Sequence, residues 1–212
     1  MLKAFTKIKN KIMTAVVQLI GRVKWKTDCV LTEDDVVTLR QKLTTDYYII
    51  LTRHCGYLST YAIAFAHFFL TGRWGYYSHT LMNLEDEVQS DADFRLIEAT
   101  IVGVHYSRFS DVFDPQCSSV ALLKPKNMSL EHWTNVMDKA MTQLGKPYDT
   151  LYDLVSDRSL SCVELIRVAL KNEPNYDTNF ANFERMISDI KNLTPQMFIE
   201  CPDFEVVWET RR

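Results

Sequence analysis

The first 25 residues have the hydrophobic spacing of an amphipathic helix. Apolar side chains recur every three or four positions, at Leu2, Phe5, Ile8, Ile12, Val16, Leu19 and Val23, which places them on one helical face. The pattern is typical of a helix that packs on a domain or self-associates. Four lysines in its first half also suit an anionic membrane surface. We predict an amphipathic helical extension over residues 1–45, followed by a catalytic domain over residues 46–212.

Beyond residue 45 the pattern changes to short strands alternating with helices. Strands are predicted over 46–52, 76–84, 94–104, 119–123 and 204–208, and helices over 57–70, 129–144 and 183–193. An acidic stretch over 85–93 separates the second strand from the third and predicts a hairpin. An antiparallel sheet with a packed helix and a helical N-terminal region makes the fold class α+β.

Composition narrows the function classes. The net charge of -3 and the pI near 6.0 give no general attraction to phosphate backbones, so we expect no nucleic-acid partner. Five cysteines, an odd number without a C-x-x-C pair, favour reduced thiols over disulfides or a zinc site. We therefore predict a reducing, cytoplasmic location, with no metal and no cofactor. The N-terminal stretch lacks a small-residue cleavage site, so a cleaved signal peptide is not expected.

Cys162 stands where a thiol would be activated. The preceding Ser161 and the following Glu164 fit the S-x-x-E capping box, which makes Cys162 the first residue of a helix. A helix N-terminus lowers the pKa of a thiol, because its unpaired N–H groups and its dipole favour negative charge. Cys162 is therefore the candidate nucleophile.

His79 and Glu98 are the candidate partners of that thiol. His79 lies in the middle of one predicted strand, and Glu98 is the single carboxylate in the apolar run of the next. If the two strands pair around their turn, Glu98 can lie directly opposite His79, about 5 Å away. It would then hold the imidazole in the tautomer that a triad requires. The competing pair His54 and Cys55 is weaker, because adjacent residues point in different directions.

Four motifs carry a resemblance to a known family. They are GYYSHTLM, RLIEATIVGV, GKPYDTLYDL and SLSCVELIRVAL, and the resemblance covers roughly residues 46–170. In this region the chain resembles the permuted branch of the NlpC-type papain-like cysteine hydrolases, the YiiX/YaeF-like branch, related to lecithin:retinol acyltransferase. The order histidine, carboxylate, cysteine is the permuted one. The implied fold is a circularly permuted papain-like fold, whose antiparallel sheet packs against the helix that bears the cysteine.

The resemblance implies a role for each matching residue. Cys162 would be the nucleophile, His79 the general base and acid, and Glu98 the residue that orients His79. Tyr148 and Asp149 match the family's Tyr-Asp pair and would line the substrate cleft. Two further substrate-binding candidates are Ser161, which replaces the family's aromatic residue before the cysteine, and His105, which we expect to flank the cleft.

The expected activity is that of an amidase or peptidase acting through an acyl-enzyme on a small peptide, isopeptide or acyl-amide. Two alternatives stay open. The basic N-terminus and the aromatic stretch over 57–69 also suit a lipid acyl hydrolase or acyltransferase that works at an anionic membrane through residues 1–25. A catalytically silent binding or effector module of the same fold is the third reading. The sequence leaves the natural substrate and the oligomeric state open.

Overall fold

The computed structural model describes residues 23, 30–84, 95–150, 158–190 and 192–210. The helix predicted over residues 1–25 therefore lies outside the described residues, apart from Val23. The helices are α1 Glu33–Thr45, α2 Leu58–Thr71, α3 Phe109–Val112, α4 Leu130–Met141, α5 Cys162–Leu170, α6 Tyr176–Asn179, α7 Ala181–Ile190 and α8 Gln196–Glu200. The strands are β1 Ile49–His54, β2 His79–Asn83, β3 Arg95–Thr100, β4 Gly103–Arg108, β5 Cys117–Pro125 and β6 Phe204–Glu209.

The six strands form one antiparallel sheet in the order β4-β3-β2-β1-β5-β6. Side chains along each strand alternate between its two faces. In β1, for example, Ile49 and Leu51 belong to one core cluster and Ile50 belongs to the other. Both faces are covered, so the central strands are apolar on both sides. This arrangement is an α+β fold, as the sequence predicts.

Helices α4 and α5 cover the first face of the sheet. Their buried residues, among them Val136 and Ile166, pack against Met82 and Ile97 of the sheet. Helix α1 covers the second face, where Leu39 and Leu43 join the other cluster. The segment Glu33–Thr45, predicted as part of an extension, thus contributes directly to the core beneath the sheet.

The prediction of a single strand over residues 94–104 is wrong, because two strands occupy this stretch. Strand β3 ends at Thr100 and β4 begins at Gly103, with a tight turn between them. Gly103 has a φ of 105°, in the left-handed region that favours glycine. A Cβ on Gly103 would also lie 2.5 Å from the carbonyl oxygen of Lys146. The glycine therefore allows both the turn and the close approach of the chain that leads to Tyr148.

The remaining predicted elements match the observed ones within a few residues. Strand β1 starts later than predicted, because residues 46–48 lie outside the ladder. Helix α4 ends three residues early, at Met141. The hairpin of β2 and β3 is present, although its predicted turn over residues 85–93 lies outside the described residues.

Candidate active site

Cys162 is the first residue of α5, at the end of the helix where N–H groups are exposed. The capping box is present: the Ser161 hydroxyl accepts from the Glu164 N–H at 3.4 Å, and the Glu164 carboxylate accepts from the Ser161 N–H at 2.8 Å. The cap fixes the position of the helix start and with it the Cys162 sulfur. Both Ser161 and Cys162 are buried.

His79 contacts Glu98 across the sheet. The His79 Nε2 and a Glu98 carboxylate oxygen are 2.6 Å apart. The predicted direct opposition of the two residues is wrong, since Glu98 pairs with Leu81. His79 is thus a diagonal neighbour, and its long side chain spans the additional distance. With Nε2 engaged by Glu98, the other ring nitrogen, Nδ1, is left for the Cys162 sulfur.

Glu98 is held by further donors on its other side. The Ser107 hydroxyl donates to Glu98 Oε1, and His105 Nε2 lies 3.6 Å from the same oxygen. Burial by itself would raise the pKa of Glu98, but hydrogen bonds from His79 and Ser107 and the charge of His79 lower it to about 2. Glu98 is therefore a carboxylate throughout the neutral range.

The pKa values of the Cys162 thiol and the His79 imidazole are shifted in opposite directions. Burial alone would raise the pKa of Cys162, yet the charge of His79 and hydrogen bonds from His79 and Thr80 lower it. Burial would likewise lower the pKa of His79, but Cys162 and Glu98 raise it to about 10. A lowered thiol pKa beside a raised imidazole pKa favours the thiolate–imidazolium pair, which is the reactive state of a cysteine nucleophile.

Thr80 is a site residue that the sequence analysis missed. Strand β2 stays paired with β1 as far as His79, whereas its pairing with β3 ends at Leu81. The two strands separate there, and the backbone N–H and the side chain of Thr80 both help to lower the pKa of Cys162. The buried Thr80 hydroxyl makes no hydrogen bond of ordinary length in the described part of the chain, which leaves it available to the Cys162 sulfur. The available signal was a polar residue beside His79 in an otherwise apolar strand.

A cavity of about 300 Å³ opens beside this cluster. His79, Glu98 and Tyr148 line it, together with His54 and residues of α2. Its size is at the lower end of the range for small-molecule sites. Tyr148, predicted to line the substrate cleft, lies at the wall of this cavity.

Asp149 has a different environment from the one expected of a cleft residue. It is buried and hydrogen-bonds to Glu164 in the first turn of α5. Burial, and then the Asp149 charge, raise the pKa of Glu164. Asp149 therefore ties the chain after Gly145 to the helix that bears Cys162, and so holds the neighbouring Tyr148 at the cavity.

The other predicted substrate contacts also have different surroundings. Ser161 is fully buried and its hydroxyl is used by the cap, so no surface of Ser161 is left for a substrate. His105 is half-buried, lies opposite Glu98 in the ladder and contacts Ser107 at 3.1 Å. It supports the carboxylate. His54, the weaker candidate, does line the cavity, and its Nε2 lies 2.8 Å from the Val112 carbonyl oxygen.

Within residues 30–84, 95–150, 158–190 and 192–210, no three or more His, Cys, Asp or Glu side chains are arranged so that they could hold a metal ion. The side chains that meet around Cys162 supply a thiol, an imidazole, a carboxylate and hydroxyls. These groups can carry out nucleophilic attack and proton transfer on a carbonyl compound.

A thiol at a helix start, next to a strand histidine oriented by a third polar group, is the arrangement of papain-like cysteine hydrolases. Residues 57–208 match the family described as permuted papain-like amidase enzyme, YaeF/YiiX, C92 family. The chain belongs to this family of amidase and peptidase enzymes, as its motifs predict. The match begins at Tyr57, after α1 and β1.

The crystal structure of the metalloprotein YiiX from Escherichia coli O157:H7 has a similar fold. The two proteins share 17% sequence identity with a TM-score of 0.58, and the similarity covers 80% of this chain and 99% of YiiX. At this identity the likeness concerns the fold alone. No curated protein sequence matches the chain significantly.

Proposed function

We propose that this cysteine hydrolase cleaves an amide bond through an acyl-enzyme formed on Cys162, with His79 as general base and acid and Glu98 as the orienting carboxylate. The observation that carries the proposal is the continuous line of contacts from Cys162 to His79 and Glu98, with a lowered thiol pKa and a raised imidazole pKa. That line gives each group the protonation state that its role needs.

In the first half of the reaction the Cys162 thiolate attacks the carbonyl carbon and forms a C–S bond. The backbone N–H of Cys162, unpaired at the helix start, donates to the oxygen that becomes negative. The His79 imidazolium then gives its proton to the leaving nitrogen, and the C–N bond breaks. The products are a free amine and a thioester on Cys162.

In the second half a water molecule attacks the thioester. His79, now neutral, accepts a proton from that water, and the C–S bond breaks. The products are a carboxylic acid and the regenerated thiolate–imidazolium pair. Glu98 keeps the imidazole in place during both transfers, and the hydroxyl and N–H of Thr80 stabilise the thiolate between turnovers. Tyr148, at the cavity wall, is the proposed substrate contact.

Mass spectrometry of a trapped intermediate tests the proposal. The protein is mixed with a p-nitrophenyl ester or anilide of a short acyl group, quenched in acid and digested with trypsin. The expected result is an acyl group on the peptide Ser159 to Arg167, which contains Cys162. We also expect Cys162→Ala to lose about 1,000-fold or more in kcat/KM, as removal of a covalent nucleophile does.

The matched control is Cys117→Ala, which removes another buried thiol and should retain activity. Circular dichroism checks that both variants fold. An acyl group on a different cysteine, or undiminished turnover by folded Cys162→Ala, contradicts the assignment.

A further inference from the structure

Helix α2 buries its polar side chains and exposes its aromatic ones. Its buried residues are Thr60, Ala64 and His67, at the three-and-four spacing of one helical face. The opposite side carries phenylalanines, of which Phe69 is 77% exposed. A helix of a soluble protein normally has the reverse arrangement, so the sheet and the core do not explain why these aromatic residues are present.

The exposed rings form one contiguous group, which we call the aromatic face: Tyr61, Phe65, Phe68, Phe69 and Trp74. Phe68 stacks on Trp74 with a centroid distance of 4.9 Å, and Phe65 contacts Phe69 at 5.2 Å. Trp74 follows the helix and is 63% exposed. Contiguous exposed apolar surface of this kind marks an interaction site.

Charge identifies the kind of partner. From Tyr57 to Ser78 the sequence has no acidic residue, and its one permanent charge is Arg73. The first 27 residues contain seven of the 24 Lys and Arg residues and none of the 27 Asp and Glu residues. Within this part of the sequence, Val23 lies at the start of the helix that bears the aromatic face, because its carbonyl accepts from the N–H of Leu58 at 3.0 Å. The rest of the chain is net acidic.

We propose that the aromatic face of α2 docks on an anionic lipid bilayer. Trp, Tyr and Phe are the side chains that insert at the headgroup boundary, and neighbouring Lys and Arg add attraction to anionic lipids. Along the described ranges no helix combines the length and apolarity needed to cross a bilayer, so the contact is peripheral. This inference is independent of the proposed amide cleavage.

The docked orientation has a consequence for the cavity. Helix α2 and the residue before it also supply Tyr57, Thr60 and Ile63 to the cavity lining. One helix thus borders both the aromatic face and the cavity beside His79. A docked molecule holds its cavity close to the bilayer surface, where amphiphilic amides with an acyl chain are concentrated.

Vesicle sedimentation tests this surface. The full chain is incubated with vesicles of phosphatidylcholine alone or of phosphatidylcholine mixed with phosphatidylglycerol. The parent should sediment with the anionic vesicles, and the bound fraction should fall as salt rises. Phe69→Ser combined with Trp74→Ser should weaken binding about tenfold or more, because two inserted aromatic side chains are lost. Both side chains are exposed, so the variant should fold.

The matched control combines Val102→Ser and Leu130→Ser, which change two apolar side chains that are 77% and 64% exposed elsewhere on the surface. It should bind like the parent. Quenching of tryptophan fluorescence by brominated lipid should be reduced in Trp74→Phe, which reports insertion at that position.

Two results would overturn the docking surface. Equal vesicle binding by the Phe69/Trp74 variant and the parent would show that the aromatic face takes no part. A parent that binds neither vesicle, and changes from dimer to monomer on sedimentation velocity when the aromatic face is altered, would assign this surface to a second copy of the chain. Turnover of a soluble ester, measured in parallel, reports separately on the active site.

Discussion

Two regions of the molecule contain the same three kinds of side chain with opposite results. At the candidate active site the cysteine, histidine and carboxylate are Cys162, His79 and Glu98. At the start of β5, Cys117 pairs in the ladder with His54, and Asp114 lies 3.9 Å from the His54 ring. Both cysteines are fully buried. The pKa of Cys162 is nevertheless lowered, whereas burial and the charge of Asp114 raise that of Cys117.

The two regions differ in where the carboxylate lies relative to the thiol and the imidazole. The Asp114 carboxylate accepts from the backbone N–H of Cys117 at 3.1 Å, so its negative charge disfavours a thiolate there. His54 is engaged by the Val112 carbonyl, and burial lowers its pKa, so it is neutral. Glu98 instead lies on the far side of His79 from Cys162, where it stabilises the imidazolium. In this molecule the same three residue types favour a thiolate where the carboxylate acts on the imidazole and the thiol lies at a helix start, and disfavour it where the carboxylate acts on the thiol.

The largest expected difference between the two regions is the effect of replacing their histidines, His79 and His54, on the reactivity of Cys162. In His79→Gln the Cys162 thiol loses the charge that lowers its pKa, which should return towards the ordinary thiol value of about 8.5. Iodoacetamide labelling of Cys162 at about pH 6 should then fall about 100-fold, because only the thiolate reacts. His54→Gln should leave this labelling rate unchanged. Peptide mass spectrometry measures the rate at each cysteine, and equal effects of the two changes would remove the distinction between the regions.

Replacing the two carboxylates, Glu98 and Asp114, should give a smaller difference in kcat/KM and in its pH profile. Glu98→Gln should lower kcat/KM about 100-fold, because His79 loses the group that orients it and stabilises its charge. The parent should lose the thiolate–imidazolium pair as pH rises through about 10. Without the Glu98 charge the His79 pKa falls, so this alkaline limb should move to lower pH.

The pH profile of kcat/KM measures both effects of Glu98→Gln. Asp114→Asn is the control and should leave the alkaline limb in place. Since the pKa of Glu98 itself is about 2, its carboxylate stays ionised until the pH falls to about that value. An acid limb near neutral pH therefore belongs to another group, and an alkaline limb that stays at the parent position in Glu98→Gln contradicts its role.

Two buried threonines provide the finest comparison. Thr80→Val removes a hydroxyl that helps to lower the pKa of Cys162 and should slow turnover about tenfold, the equivalent of one hydrogen bond to a charged group. Thr52, on the neighbouring strand, also has a buried hydroxyl without a partner in the described part of the chain. Thr52→Val should keep full activity and equal or greater thermal stability. Equal rates for the two variants would exclude the contribution of the Thr80 hydroxyl.

Local sequence was sufficient for several parts of this molecule. Ser161 and Glu164 predict the cap because both partners lie within one helical turn. The contact of His79 with Glu98 followed from two strands on either side of one acidic stretch. The break before Gly103 was missed, since an apolar run hides a turn unless the positive φ of its glycine is recognised.

Contacts between distant segments were not accessible in this way. Helix α5 contacts both β2 and β3 where these strands separate, and no local pattern encodes this arrangement. Asp149 was predicted to line the cleft because it matches the family's Tyr-Asp pair, and His105 was expected to flank the cleft. In the structure they hydrogen-bond to Glu164 and lie beside Glu98, and these partners depend on tertiary packing. Sequence thus predicted the polar residues of the site better than the direction in which each one points.

The order of the site residues along the chain has a consequence for biosynthesis. Cys162 follows His79 by 83 residues, so at ribosomal speeds of about 5–20 residues per second several seconds pass between them. During this time the imidazole and the carboxylate exist without a nucleophile. The thiol, once made, keeps an ordinary pKa until its helix reaches the sheet. A nascent chain of this permuted enzyme therefore acquires the sulfur after the histidine and the carboxylate, and the sulfur is enclosed only when the later core residues, such as Phe183 and Phe198, have also been made.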